Sequence, residues 1–244
     1  MIKKAHNVEG NLCTAAEEAY NVLRSNIQFC GFNKRIKSLV ITSCVQGEGK
    51  TTTAFNLALS MTRIRLKVLL VDADLRKPLI TKYLGNNDSP GLSNLISEQI
   101  DFKDGIYTTD VEGLSFMPAG DKPPNPAELL NSVNFDEFLL KAEEQYDIVI
   151  FDTPPLGSVI DSAIIASKAD GTLLVTKPGS VDYKMGVRVK EQLEKANARI
   201  LGVVLNGVKK RDYRDYCNYN YYTGNKPRFL FTKWISRLKK YRSS

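Results

Sequence analysis

The sequence has a single histidine, His6, among 244 residues, and it stands close to the start. Histidine-based acid–base catalysis and histidine metal sites are therefore excluded. Cysteine is nearly as sparse. Cys13, Cys30, Cys44 and Cys217 show neither metal-type spacing nor a pairing logic, as expected in a reducing compartment. No apolar run approaches the roughly 20 residues that cross a bilayer. The opening MIKKAHNVEGN lacks the apolar stretch of a signal peptide, so a soluble, cytoplasmic protein is expected. Charge of one sign is also missing from most of the chain. Lys226, Arg228, Lys233, Arg237, Lys239, Lys240 and Arg242 lie in residues 226–244, which hold no acid. They equal the net charge of +7, so residues 1–225 are neutral overall. A body built to bind nucleic acid is not expected.

What is present is a large apolar content, 43%, enough for one sizeable α/β core. Short apolar runs alternate with helical patterns. A helix is expected over Ala15–Phe29, with Thr14 and Glu17 as a capping box. Strands are expected at Ser38–Thr42, Lys67–Asp72, Leu114–Met117, Asp147–Phe151, Gly171–Thr176 and Arg199–Leu205. Between them fall a helix ending near Thr62, one from Pro126 through Gln145, one near Asp161–Ser167 and one over Asp182–Lys195. Residues 85–91 form a loop. This order predicts a P-loop NTPase-like parallel sheet covered by helices on both faces. After Gly207 the pattern stops. Val208 is the only aliphatic residue in VKKRDYRDYCNYNYYTGNK, so residues 207–225 are expected to be a mobile tail. The chain divides into an N-terminal helical segment (1–36), a P-loop domain (37–206), that tail, and a basic segment (226–244).

Chemistry concentrates at Ser43–Thr53, SCVQGEGKTTT, between the first strand and a helix. A strand, a glycine-containing loop and a helix start make an anion site from backbone N–H groups and the positive helix end. Gly47 and Gly49 let the backbone close on phosphate oxygens, Lys50 supplies a point charge, and the Thr51 hydroxyl can ligate Mg²⁺. The strict pattern has glycine where Cys44 stands. Two more strand ends, VLLVDADLR and IVIFDTPP, carry Asp72, Asp74 and Asp152 to the same sheet edge. There they can orient the waters of a hard cation. Taken singly, Asp72 could cap a turn and Asp152 could form an Asx turn. Beside a phosphate loop the three together point to a nucleotide–Mg²⁺ site.

These three blocks, the helix start Asn125-Pro126-Ala127-Glu128-Leu129-Leu130 and a tyrosine-rich end resemble the bacterial tyrosine kinases of capsule and exopolysaccharide synthesis. The match extends over residues 14–225 and is greatest to the stand-alone cytoplasmic type of Gram-positive bacteria. The resemblance implies ATP held by Gly47, Glu48, Gly49, Lys50, Thr51 and Thr52, and Mg²⁺ organised by Thr51, Asp74 and Asp152. It makes Lys50, Asp72 and Asp74 the catalytic set, with Asp72 as base for the incoming phenol. Asn206 stands where related ATPases contact adenine; an Asn-Gly turn explains it equally well. The resemblance further implies a transmembrane co-polymerase-like activator, a cognate tyrosine phosphatase, homo-oligomers including rings, and recruitment to the inner membrane face. In the helix used for ring contacts, Glu18 and Arg24 match while Asn21 replaces an arginine, and a plain solvated helix face accounts for the pair as well. Val45 and Gln46 stand where partitioning or MinD-like ATPases carry an early lysine. Such an ATPase, or a nucleotide-switched scaffold, is the alternative.

Tyr213, Tyr216, Tyr219, Tyr221 and Tyr222 fall within ten residues, almost half of the chain's 11 tyrosines. A stripe made only for packing would not need hydroxyls, so these are expected phosphorylation sites, reached in trans or in cis. In the basic segment Phe231, Trp234, Ile235, Leu238 and Tyr241 share one helical face. A membrane surface, a membrane partner, the chain's own body and nucleic acid are all open as its occupant. Five phosphotyrosines would add about −8 to −10 charge directly before it. Phosphorylation is therefore expected to release the chain from anionic liposomes in low-salt sedimentation; equal binding of both forms would rule this out.

Overall fold

A computed structural model of the chain describes residues 14–32, 34–84 and 89–208. The five tail tyrosines and the basic segment lie outside these residues. Seven strands form one sheet: β1 (Ser38–Ser43), β2 (Val68–Asp72), β3 (Tyr107–Thr108), β4 (Leu114–Met117), β5 (Ile148–Asp152), β6 (Gly171–Thr176) and β7 (Ile200–Leu205). Their spatial order is β3-β4-β2-β5-β1-β6-β7. All neighbours are parallel except the short edge pair β3–β4. Every residue of β1, β2 and β5 is buried, which is why these runs are continuously apolar rather than alternating.

The helices are α1 (Thr14–Cys30), α2 (Lys50–Thr62), α3 (Ile80–Leu84), α4 (Leu92–Ile96), α5 (Pro126–Leu130), α6 (Val133–Gln145), α7 (Asp161–Lys168) and α8 (Tyr183–Lys195). On one face Ala54, Leu57, Ala58 and Met61 of α2 pack on Leu39, Ile41, Leu70 and Ile150, with Ile27 of α1 joining the same cluster. On the other face α6 supplies Phe135 and Phe138, whose ring centroids lie 6.0 and 6.3 Å from that of Phe151 on β5.

The expected strands and long helices recur with boundary shifts of one or two residues, except that α2 begins at Lys50, inside the Ser43–Thr53 stretch expected to precede it. The Pro126–Gln145 helix does not run through. It stops at Leu130, and the Ser132 hydroxyl caps α6 by accepting from Phe135 N at 3.3 Å. Asn131 and Ser132 compete for backbone groups and favour such a break. The short elements α3, α4 and β3 had no periodic signal to betray them. Thr14's side chain and residues 85–88 lie outside the described residues, so neither the capping box nor the full loop is seen; Glu17 instead pairs with Arg63 at 3.3 Å.

Asn21 and Arg24 are not on a solvated face. Arg24 donates to the Ser60 carbonyl (2.5 Å), the Ser60 hydroxyl (2.9 Å) and Asn21 Oδ1 (3.1 Å), tying α1 to α2. Asparagine at position 21 suits this contact, because it accepts from both Arg24 and Ser60 where an arginine could only donate. Glu18 remains exposed.

The three-ring cluster carries much of the face under α6. Phe135→Ala is expected to lower the unfolding free energy by about 3–5 kcal/mol in urea titration, since the removed ring leaves a cavity that a rigid sheet cannot close.

Candidate active site

β1 ends at Ser43, and the chain turns through residues 44–49 before α2 begins at Lys50. Gly47 (φ 88°) and Gly49 (φ 93°) both take left-handed backbone conformations that side-chain-bearing residues rarely adopt. Gly49 has a second reason to be glycine, because a Cβ there would fall 1.9 Å from Asn206 Nδ2. Thr53 N is the first amide of α2 to bond back along the helix, to Gly49 O at 2.8 Å. The amides of Lys50, Thr51 and Thr52 are left with no carbonyl of the helix itself to bond. That is the donor array an anion needs.

Sheet order places the ends of β2 and β5 beside this loop. Asp72 and Asp152 are register partners, and Ile41 of β1 is opposite Asp152. Lys50, itself buried, sets its ammonium 3.6 Å from Asp74 Oδ2 and 3.7 Å from Asp152 Oδ1. These are ion-pair rather than hydrogen-bond distances. Thr51 Oγ1 donates to Asp152 Oδ2 at 2.7 Å. Asp74 Oδ1 accepts from Lys77 N at 3.0 Å. The DADLR turn is held from outside by Arg76, which grips the buried Asp161 at the start of α7 through two bonds of 2.7 and 3.0 Å.

Asp72 is fully buried and has one oxygen engaged and one free. Thr81 N and Thr81 Oγ1 both donate to Oδ2 at 2.8 Å, while Oδ1 has no hydrogen-bond partner. The Thr81 hydroxyl is fixed in turn by Ala119 N at 3.1 Å. Burial, and then the charge of Asp152, push the Asp72 carboxyl up to about 7. Asp152 is raised to about 6 by burial, against the opposing pull of Lys50 and Thr51. Cys44 is a buried thiol raised to about 11 by burial and by Glu48, so it is unreactive at neutral pH.

Among the described residues no group of three or more His, Cys, Asp or Glu side chains is arranged to enclose a metal ion. The donors fit Mg²⁺ in another way. Asp152 Oδ1 is buried without a hydrogen bond next to the Thr51 hydroxyl, and Mg²⁺ needs only one or two protein oxygens when phosphates and waters supply the rest.

The other expected site residues are placed as follows. Thr52 is exposed on the first turn of α2, and its carbonyl accepts from Asn56. Glu48 is buried and turned inward, away from solvent. Asn206 Nδ2 donates to Glu48 O at 2.9 Å. Thr81 and Asp161 had no motif to announce them, and Arg76 closes the VLLVDADLR block without its partner being readable. Their roles depend on a chain return after β2 that spacing does not encode.

A family described as an AAA domain matches residues 36–189. Tyrosine-protein kinase CpsD of Streptococcus agalactiae is 41% identical over 206 residues, 83% of this chain and 89% of that protein. The chain belongs to the bacterial tyrosine-protein kinases. Tyrosine-protein kinase YwqD of Bacillus subtilis is 37% identical over 213 residues, 87% of this chain and 88% of its own. In structure, the chimerical protein CapA2B2 superposes with a TM-score of 0.76 at 34% identity, covering 79% of this chain and 85% of that one. The MinD-like alternative is a more distant likeness. MinD of Pyrococcus horikoshii, solved with Mg-ADP, gives 0.60 at 26% identity, covering 72% of this chain and 73% of its own.

Between the ordinary carboxyl value of 3.8 and about 7, folded Asp72 binds more protons than unfolded Asp72. Stability without nucleotide therefore falls as pH rises through that window. Asp72→Asn is expected to melt about 2–8 °C above the parent at pH 8 in nucleotide-free buffer, and to lose that advantage near pH 4.

Proposed function

We propose that the chain is an ATP-dependent protein-tyrosine kinase that phosphorylates its own tyrosine cluster, Tyr213, Tyr216, Tyr219, Tyr221 and Tyr222, and regulates capsule or exopolysaccharide synthesis. The observation that carries this reading is the convergence of Lys50, Asp74, Asp152 and Thr51 at one sheet edge, next to a buried aspartate with a free oxygen. Kinship with tyrosine-protein kinases supports the choice of substrate over bare ATP hydrolysis.

The amides at the start of α2 and the Lys50 ammonium bind the β- and γ-phosphates of ATP. Thr51 and Asp152 would hold Mg²⁺, with Asp74 bracing Lys50 and the water shell; the ion would neutralise charge on the transferred phosphoryl group. Asp72 receives the proton as the tyrosine oxygen bonds to the γ-phosphorus and the bond to ADP breaks. A phenol with pKa near 10 keeps its proton at neutral pH, so such an acceptor is needed. Thr81 holds one Asp72 oxygen and leaves the other without a hydrogen-bond partner, free to take that proton.

The tail supplies hydroxyls among polar residues, and delivery to a neighbouring subunit agrees with an oligomer. The partners in this reading are a membrane-spanning activator, a tyrosine phosphatase and further copies of the chain. Membrane recruitment is assigned in this reading to a partner or to residues 226–244; among the described residues no helix is long and apolar enough to cross a membrane.

Incubation with labelled ATP and Mg²⁺ tests this, with the activator's cytoplasmic segment supplied. Phosphotyrosine is expected on the tail, falling about a hundredfold or more in Lys50→Met and vanishing from the tail when all five tyrosines are phenylalanine. Phosphate release without any phosphotyrosine would favour the ATPase alternative.

A further inference from the structure

Glu48 is an acidic residue placed inside a phosphate cradle, where a carboxylate facing the ligand would repel it. Its side chain instead runs into the protein and is only 1% exposed as a residue. Oε2 accepts from Val45 N at 2.9 Å, closing the first half of the loop on itself. Oε1 accepts from Thr176 Oγ1 (2.9 Å), Lys177 N (3.3 Å) and Ser180 Oγ (2.5 Å), all in or beside the loop between β6 and α8. Burial alone would raise this carboxyl; the donors from Ser180, Val45, Thr176 and Lys177 outweigh it and hold the group below its usual range.

The backbone of the same residue is fixed as well. Glu48 O accepts from Asn206 Nδ2 at 2.9 Å, which orients the peptide unit whose N–H belongs to Gly49. Asn206 N in turn donates to Thr176 O at 2.8 Å. One residue thus joins three strand ends: the loop after β1, the loop after β6 and the first residue after β7. Charge-assisted bonds of this kind are stronger than neutral ones, and a buried carboxylate stripped of its donors is costly.

We propose that Glu48 is a positioning residue whose carboxylate latches the phosphate loop to the loop after β6, so that both respond to a bound nucleoside diphosphate as one unit. The latch rests on the nucleotide-binding reading above and extends it to residues 176–183, which Glu48 and Asn206 tie to the cradle. Its effect is on binding and loop order, not on the phosphoryl-transfer step.

Hydrogen exchange of the full chain with and without Mg·ADP, read by mass spectrometry beside fluorescent-ADP titration, tests the latch. In the parent, ADP is expected to slow exchange over both 44–53 and 176–183. Glu48→Gln sets an amide N–H₂ against Val45 N–H or against the donors from β6. It is expected to bind ADP about tenfold more weakly and to show protection over 44–53 alone. Ser180→Ala, which removes one donor at an exposed position, is expected to weaken ADP about fivefold. It should add little further loss in the Glu48→Gln background. Ile165→Val, a core change that lowers melting temperature away from the loop, is expected to keep parental affinity and both protected segments. Parental affinity in Glu48→Gln, or protection of both segments there, would overturn the latch. Failure of the parent itself to bind ADP would remove the nucleotide reading and the latch together.

Discussion

Three carboxylates and one ammonium buried at a common sheet edge set the terms for the rest of this molecule. Lys50 faces Asp74 and Asp152 but touches neither at hydrogen-bond distance, and Asp72 is bonded instead to Thr81. The arrangement carries more negative than positive charge in a place from which water is excluded. Such an excess is tolerated only by taking up protons or by gathering cations, and the raised carboxyls of Asp72 and Asp152 show the first response. The second is what Mg²⁺ with a nucleotide supplies. The apolar strands matter to the chemistry for this reason: β1, β2 and β5 are buried along their whole length, and so their ends cannot drift apart to relieve the repulsion.

The same constraint sorts the residues around the site into those that carry charge and those that hold it still. Arg76 clamps Asp161 and fixes the DADLR turn; Thr81 takes one oxygen of Asp72; Glu48 draws its own negative charge away from the phosphate cradle. None of the three needs to meet a substrate. A cell division ATPase, MinD of Pyrococcus furiosus, shares the fold, so the kinase character cannot reside in the fold alone. In the proposed reading it belongs to the acceptor: a protein hydroxyl and a carboxylate able to receive its proton.

The long buried strands, α2, and the set Lys50, Thr51, Asp72, Asp74 and Asp152 were legible in the sequence. Their signals are local: continuous apolar runs, a glycine-containing turn, and acids at strand tips. What sequence did not show depends on distant parts of the chain meeting. Thr81 is nine positions beyond Asp72 on a helix of one turn, too short for periodicity to reveal. The inward turn of Glu48 was not readable, because spacing gives position along the chain and not the direction of a side chain. The tie between Asn21 and Ser60, 39 residues away in sequence, was equally unreadable. The break at Asn131-Ser132 was readable in principle, since both residues favour caps over helix interiors, but apolar spacing on either side outweighed it.

Asp72 opposite Asp152, one pair in a ladder of five, has a consequence for how the protein can vary. A strand works as a ruler with marks about 3.3 Å apart, and adjacent marks lie on opposite faces. Adding or losing one residue inside β2 or β5 would leave the hydrophobic count almost unchanged, yet it would turn one acid away from its neighbours and reverse the packed face. Length changes are therefore tolerable in the connections and not in these strands. The spacing of the acids is recorded in the apolar residues before them, and a genetic change that never touches an aspartate can still erase the site.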